Sequence, residues 1–327
     1  MTYARIIGTG SYFPEGLLTN ADLEKMVDTT DEWITSRTGI RVRHVAAKDE
    51  MTSDLAYRAS KNAIEMAGIK ADEIDGIIFP TVTPDQCFPS CADVLQNKLG
   101  FAGSFAFDLN ATCSGFVYSL SLADALIKSG RFKTILIAAA ERLTTITDYT
   151  DRNSCILFGD GAGSVIVRAD NTPGIRSFDM GADGSGGDVM YMKGMGSAEL
   201  VRQQHGESDG NSFIAMKGNE VFKRAVPMMA DSGVKALSRS GLTGLEDIDW
   251  VLPHQANYRI IKAVSERLNV DMDKMLVNIE THGNVSAATI PALLDENIRN
   301  GKIKPCDNLL LCAFGGGWTW GASVLSL

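Results

Sequence analysis

The sequence predicts an α/β protein built from one unit used twice, and three observations predict it. Segments with helical periodicity alternate with short apolar, β-branched runs. Blocks of the first half recur in the second half in the same order, and glycines stop the helices at matching places.

The elements follow in chain order. Ala63 to Ile69 reads as the end of a helix stopped at Gly68, with a strand from Ile74 to Ile78 behind it. Ala236 to Leu242 and Ile248 to Leu252 repeat that succession of helix, glycine stop and strand. Ser104 to Leu109 reads as a strand that turns through Asn110-Ala111-Thr112 into a helix beginning Ser114-Gly115-Phe116, with Cys113 at the junction. Cys113 to Arg131 aligns without gaps on Asn284 to Lys302, which predicts that Cys113 and Asn284 begin equivalent helices. Phe158 to Val167 and Phe314 to Val324 each read as strand, Gly-rich turn and strand. The repeats divide near Asp170 to Gly174, giving an N-terminal half, 1–172, and a C-terminal half, 173–327. Gly181 to Ser212, rich in glycine and polar residues, reads as a flexible loop.

Composition narrows the class. A chain of 327 residues, 45% hydrophobic and 22% charged, supplies a sizeable core, and a net charge of −9 argues against a nucleic-acid surface. Met1 to Gly8 lacks the apolar run of a signal peptide and no stretch approaches a membrane span, so a cytoplasmic enzyme without membrane contact is expected. The six cysteines are too sparse for a disulfide framework, and Cys87 and Cys91 lack a second ligand pair for zinc. Gly159-Asp160-Gly161-Ala162-Gly163 misses the spacing of a dinucleotide loop and leads into a strand. No metal, flavin or nicotinamide site is indicated.

Cys113 is the candidate nucleophile. A thiol at a helix N-terminus meets unpaired N–H groups and the positive end of the macrodipole, which favour the thiolate and lower its pKa. A small buried apolar residue would occupy the same place equally well. His254 follows the strand Val251-Leu252-Pro253 and is the candidate acid/base or hydrogen-bond donor, with a structural histidine as the alternative. His282, before Gly283-Asn284, reads as orienting the turn; His44 and His205 read as surface groups. Phe314-Gly315-Gly316-Gly317 offers unobstructed backbone N–H groups for an oxyanion, or a tight turn.

Together these residues resemble the β-ketoacyl-[acyl-carrier-protein] synthase III family of condensing enzymes, in the thiolase-like superfamily. The resemblance runs from Ile6 to Gly321. It rests on Asp31-Glu32-Trp33-Ile34 with Arg37-Thr38-Gly39-Ile40, Cys113-Ser114-Gly115-Phe116, Pro253-His254-Gln255-Ala256-Asn257, His282-Gly283-Asn284-Val285-Ser286, and Phe314 to Gly317 with Thr319-Trp320-Gly321. It implies a thiolase-like fold, layered αβαβα, with decarboxylative condensation of an acyl-CoA primer, by default acetyl-CoA, and malonyl-acyl-carrier protein through an acyl-Cys113 intermediate. By the same resemblance Cys113 and Gly316 supply the oxyanion hole, and His254 and Asn284 hold the malonyl thioester. Trp33, Arg37, Thr38, Arg152 and Asn219 contact CoA. Phe88, Leu143, Phe158, Met190 and Ile214 line the acyl pocket, Phe88 from across a homodimer interface, while Lys223, Arg224, Gln255, Arg259 and Lys262 receive the acidic carrier protein. No cofactor is implied. A condensing enzyme of secondary metabolism with another primer, and a thiol hydrolase using the Cys-His pair, are the alternatives; a thiolase would need a second catalytic cysteine, which Gly315 to Gly317 lacks.

Overall fold

In the computed structural model, which describes residues 2–194, 196–208 and 210–327, the first half of the chain contributes β1 (Tyr3–Tyr12), β2 (Gly16–Thr19), α1 (Asn20–Leu23), α2 (Asp31–Thr38), β3 (Val42–Val45), α3 (Thr52–Ala67), β4 (Gly76–Pro80), α4 (Cys91–Leu99), β5 (Phe105–Leu109), α5 (Gly115–Lys128), β6 (Thr134–Arg142) and β7 (Asp160–Asp170). The second half contributes β8 (Ile175–Ala182), β9 (Met190–Met192), α6 (Ser197–Gln204), β10 (Ile214–Met216), α7 (Gly218–Ser238), β11 (Trp250–Pro253), α8 (Tyr258–Leu268), α9 (Ile279–His282), α10 (Thr289–Arg299), β12 (Asn308–Gly315) and β13 (Thr319–Ser326).

Two sheets carry the same topology. The first runs β1-β7-β6-β4-β5, and the second, read from the matching edge, runs β8-β13-β12-β11. In both, the first two pairings are antiparallel and the third is parallel. A single bridge from Val251 to Met275 stands where the first sheet has β5.

Side-chain alternation along the strands sets the layers. Ile78, Ile135, Ile137, Val165 and Val167 of the first sheet share one cluster with Leu252, Leu309, Leu311 and Leu325 of the second, packed around Phe116, Val117 and Leu120 of α5 and Leu293 and Leu294 of α10. Residues one step along face outward. Ile77, Phe79 and Leu136 pack against Leu55, Ala59 and Ala63 of α3 and Leu95 of α4, whereas Leu310, Cys312 and Val324 pack against Met229 of α7 and Ile261 and Val264 of α8. Helix, sheet, helix, sheet and helix therefore stack as αβαβα. Each fully buried Leu, Ile or Phe in these layers contributes about 1.5–3 kcal/mol of burial. The outer α3 lies directly on β1 because a Cβ at Gly8 or Gly10 would collide with the Ala63 or Ala59 carbonyl.

Two expectations are corrected here. The helices α5 and α10 both end before a left-handed glycine, Gly130 and Gly301, but α10 is three residues shorter at its start. Each is entered through a 3-10 turn whose first residue has positive φ, Thr112 at 48° and Ser286 at 49°. The counterpart of the Cys113 turn thus begins at Ser286, and Asn284 lies on the extended entry, bridged to Phe158. Gly181 to Ser212 is likewise not an open loop: it holds β9, which pairs with β10, and the helix α6. Met195 and Asp209 lie outside the described residues.

Candidate active site

Cys113 sits in the 3-10 turn Thr112–Ser114 between β5 and α5, against the turn Ser286–Ala288 that precedes α10. The hairpin between β12 and β13 closes over it: Gly315 carries no side chain where a Cβ would strike the Thr112 hydroxyl and come within 2.9 Å of Cys113 N. Thr112 Oγ1 lies 2.8 Å from Ala111 O and 3.1 Å from Gly316 O, tying the two turns together. Gly316 and Cys113 line one cavity, the placement an oxyanion hole of their N–H groups requires.

The residue is 8% exposed. The expected low thiol pKa is overturned: burial, with a smaller push from the Glu141 charge, raises it to about 12, against a lowering contact from Ser286. Resting Cys113 is a protonated thiol, because desolvation outweighs the helix end.

His254 follows β11 directly and is buried, its own N–H donating to Cys312 O at 2.8 Å. Burial lowers its pKa to about 3, so the ring is neutral. The Thr289 hydroxyl lies 2.7 Å from His254 Nδ1 and 3.0 Å from Ser286 O. The Thr289 backbone N–H donates to the same carbonyl, so the hydroxyl is anchored between Ser286 O and the ring. Asn284 is fixed similarly. Its N–H donates to Leu157 O at 2.9 Å, and its Oδ1 accepts from Ser286 N at 2.8 Å, so Nδ2 is the end left to donate. Cys113, His254 and Asn284 line the same cleft of about 680 Å³.

That cleft also brings together Trp33, Arg37 and Asn219. The guanidinium carbons of Arg37 and Arg152 lie 4.8 Å and 4.9 Å from the Trp33 ring centre, one cation–π arrangement suited to a nucleotide base with phosphates. Thr38 lines the cleft but is buried: its hydroxyl donates to Ile34 O at 2.7 Å and accepts from Ile40 N at 3.0 Å, so it caps α2 instead of offering a free ligand contact. Arg259 lies at the mouth of the cleft, with Lys223, Arg224 and Lys262 exposed beside it on α7 and α8. Gln255 is corrected. It is buried, its amide donating to Pro253 O at 2.8 Å and its Oε1 accepting from Asn278 N at 3.1 Å, so it clips the loop after β11 and cannot meet a carrier protein.

A second cavity of about 220 Å³ adjoins Cys113 and brings together Leu143, Phe158, Met190 and Ile214, four of the five residues expected around the acyl chain. Phe88 does not reach it within the chain; it is 84% exposed. Val82, Ile146, Met192 and Ser286 also line the cavity, although no local spacing links them to Cys113. His282 does orient, stacking on Phe13 at 3.7 Å and pairing with Glu296 at 2.7 Å. His44 is half-buried in the same stack, 2.6 Å from Pro14 O, and is no surface group. Among the described residues no cluster of three or more His, Cys, Asp or Glu side chains is placed to hold a metal ion.

Family comparisons agree with this geometry. The model described as 3-oxoacyl-[acyl-carrier-protein (ACP)] synthase III matches residues 107–184, and that of its C terminal matches residues 237–327. The chain is 51% identical over 324 residues to a β-ketoacyl-[acyl-carrier-protein] synthase III of Xanthomonas campestris pv. campestris, covering 99% of this chain and 98% of the relative. It is 49% identical to that of Thioalkalivibrio sulfidiphilus, with 99% of each covered. The crystal structure of 3-oxoacyl-[acyl-carrier-protein] synthase III from Aquifex aeolicus superposes with a TM-score of 0.92 at 44% identity, covering 99% of this chain and 100% of that one. With near-complete coverage at half identity, the same fold and a cysteine sharing its cleft with a buried histidine and asparagine, the chain belongs to the β-ketoacyl-[acyl-carrier-protein] synthase III family of the thiolase-like superfamily.

Proposed function

We propose that the reaction of this condensing enzyme, which joins an acyl-CoA primer to malonyl-acyl-carrier protein to start fatty-acid synthesis, is carried by Cys113, His254 and Asn284 in two stages. Cys113 attacks the primer thioester, the N–H groups of Cys113 and Gly316 hold the oxyanion, and CoA leaves. The malonyl thioester then takes hydrogen bonds from His254 Nε2 and Asn284 Nδ2 at its carbonyl oxygen. Loss of CO2 leaves an enolate, which attacks the acyl-Cys113 carbonyl. Neutral donors stabilise an enolate without protonating it, each contributing about 2.7–4 kcal/mol to the transition state.

One observation carries this reading: the second hydrogen-bonding atom of each donor is already occupied, Nδ1 of His254 by Thr289 and Oδ1 of Asn284 by Ser286 N–H. A hydrolase would need a base to activate water, and a histidine held neutral down to about pH 3 is a poor one. The CoA contacts, in this proposal, are the Trp33, Arg37 and Arg152 stack with Asn219, and the carrier protein docks on Lys223, Arg224, Arg259 and Lys262. The apolar cavity suits a short acyl chain, with acetyl-CoA the default. A homodimer belongs to the same proposal, since Phe88 and Phe107 stand exposed beside the edge strand β5. So does action in the cytoplasm, where all six cysteines stay free thiols; no helix among the described residues is long and apolar enough to cross a membrane. Incubation with acyl-CoA followed by peptide mass spectrometry tests the reading. An acyl group on Cys113 that moves to product on adding malonyl-acyl-carrier protein supports it, and release as free acid would replace it with the hydrolase.

A further inference from the structure

Behind Cys113 stands a carboxyl group that the two-stage mechanism leaves unused. Glu141, near the end of β6, is wholly buried. Its Oε2 accepts from Thr81 Oγ1 at 3.0 Å, Val82 N at 3.0 Å and Thr83 Oγ1 at 2.7 Å. Its Oε1 is also buried and has no hydrogen-bond partner among the described residues. The Ser286 hydroxyl is likewise buried, and its contacts are with the Cys113 thiol and the Glu141 carboxyl, where it favours the ionised form of each, neither contact being a fully formed hydrogen bond. Three polar groups thus converge, and two of them have unfilled hydrogen-bonding capacity.

We propose that Glu141 takes the Cys113 thiol proton through the Ser286 hydroxyl as the acyl group is loaded, stores it for the life of the acyl-enzyme, and returns it when condensation frees the thiolate. The inference rests on the acyl-Cys113 reading above. In loading, the Cys113 S–H bond breaks, sulfur bonds to the thioester carbonyl carbon, and the CoA thiolate departs with its electron pair and takes a proton from water. Ser286 accepts the thiol proton as it passes its own to Oε1. In condensation, the enolate carbon bonds to the acyl carbon, the Sγ–C bond breaks with its pair going to sulfur, and the proton returns along the same path. One proton is drawn from water per turnover and ends on CoA.

The electrostatics favour a store here. Ionised Glu141 opposes the Cys113 thiolate, so a proton moving between them keeps a single negative charge in the pocket instead of two. Burial raises the Glu141 pKa to about 7, where it can both take up and release a proton, whereas His254 stays neutral and cannot store one. Arg142 follows Glu141 on β6, and Asp160 stands opposite Arg142 on β7. Asp160 on β7 is held by Ala46 N and Thr144, and Arg142 donates to Ala47 O. Neither carries a bond into the Cys113 pocket.

Glu141 is in this sense a positioning residue, and its test needs a readout that packing alone would not move. The rate of acyl loading onto Cys113 is measured by quenched flow and mass spectrometry between about pH 6 and pH 9 in wild type, Glu141→Gln and Ser286→Ala; both variants are expected to load about 100-fold slower at neutral pH, with the deficit shrinking as solvent base takes over. The infrared difference spectrum between free and acylated wild type should gain a protonated-carboxyl band that Glu141→Gln lacks. Wild-type loading rates in both variants, a deficit constant across pH, or no such band in wild type would overturn the inference. Ser286→Ala keeps all three Glu141 donors, and the wild-type infrared measurement needs no variant, so a poorly folding Glu141→Gln leaves the test intact. Failure of wild type itself to acquire an acyl group on Cys113 would instead overturn the reading beneath it.

Discussion

The Thr289 hydroxyl, 2.7 Å from Nδ1, controls the orientation of the His254 ring and so where its Nε2 points. Thr289→Val keeps the shape and removes that control. Condensation should fall about 100-fold, the usual worth of one such donor, while loading of Cys113 stays near wild type; single-turnover rates of the two half-reactions check this. Protons also couple this site to stability, with opposite signs. His254 has its pKa lowered from 6.5 to about 3, so between those values the unfolded chain binds a proton the native state refuses, and stability rises with pH. Glu141 has its pKa raised from 4.5 to about 7, so across that window the native state holds the extra proton and stability falls as pH rises. The two effects oppose each other between 4.5 and 6.5. Glu141→Gln should therefore steepen the pH dependence there, toward about 1.4 kcal/mol per pH unit. Denaturant titrations at several pH values measure the slope.

Turns, more than helices or strands, hold the chemistry at the next scale. The Cys113 turn, the Ser286 turn and the β12–β13 hairpin meet where each needs a special backbone: positive φ at Thr112 and Ser286, and no side chain at Gly315. Gly315→Ala would push Thr112 and Cys113 N apart. It should cost about 1–3 kcal/mol of stability, as overpacking does, and slow acyl loading by displacing the oxyanion hole. Thermal melting and the loading rate together test it, and loss of stability without loss of loading would count against the hairpin as part of the site. What the sequence made legible follows from the same geometry. Cys113, His254 and Asn284 stand at the ends of readable elements, and the motifs around them are contiguous. Ser286, Thr289 and Glu141 act through contacts between separate elements, which no spacing records. Gln255 sits inside a matching motif yet points inward, because motif membership does not say which way a loop residue faces. The missing turn at the start of α10 is invisible in an alignment that matches well at the other end.

At the scale of the whole molecule, duplication explains how two halves make one site. Two sheets that match over four strands bury α5 and α10 between them, and the turns entering those helices meet, bringing a thiol from one half to a histidine and an asparagine from the other. Layering was readable because strand alternation and glycine stops are local. The exposed charges of α7 and α8 lie at the mouth of the shared cleft, so Arg259→Glu should weaken condensation with malonyl-acyl-carrier protein, raising KM about tenfold, and spare loading from acyl-CoA. Equal loss in both half-reactions would count against the docking patch. The central claim is the division of labour between the halves, and a chase experiment tests it most directly. Wild type, His254→Ala and Asn284→Ala are loaded on Cys113 with a labelled acyl-CoA and then mixed with malonyl-acyl-carrier protein. The account predicts that all three load, that only wild type passes its label to 3-oxoacyl-carrier protein at full rate, and that each variant is slowed about 100- to 1,000-fold in that step alone. Variants that transfer the label as fast as wild type would contradict it.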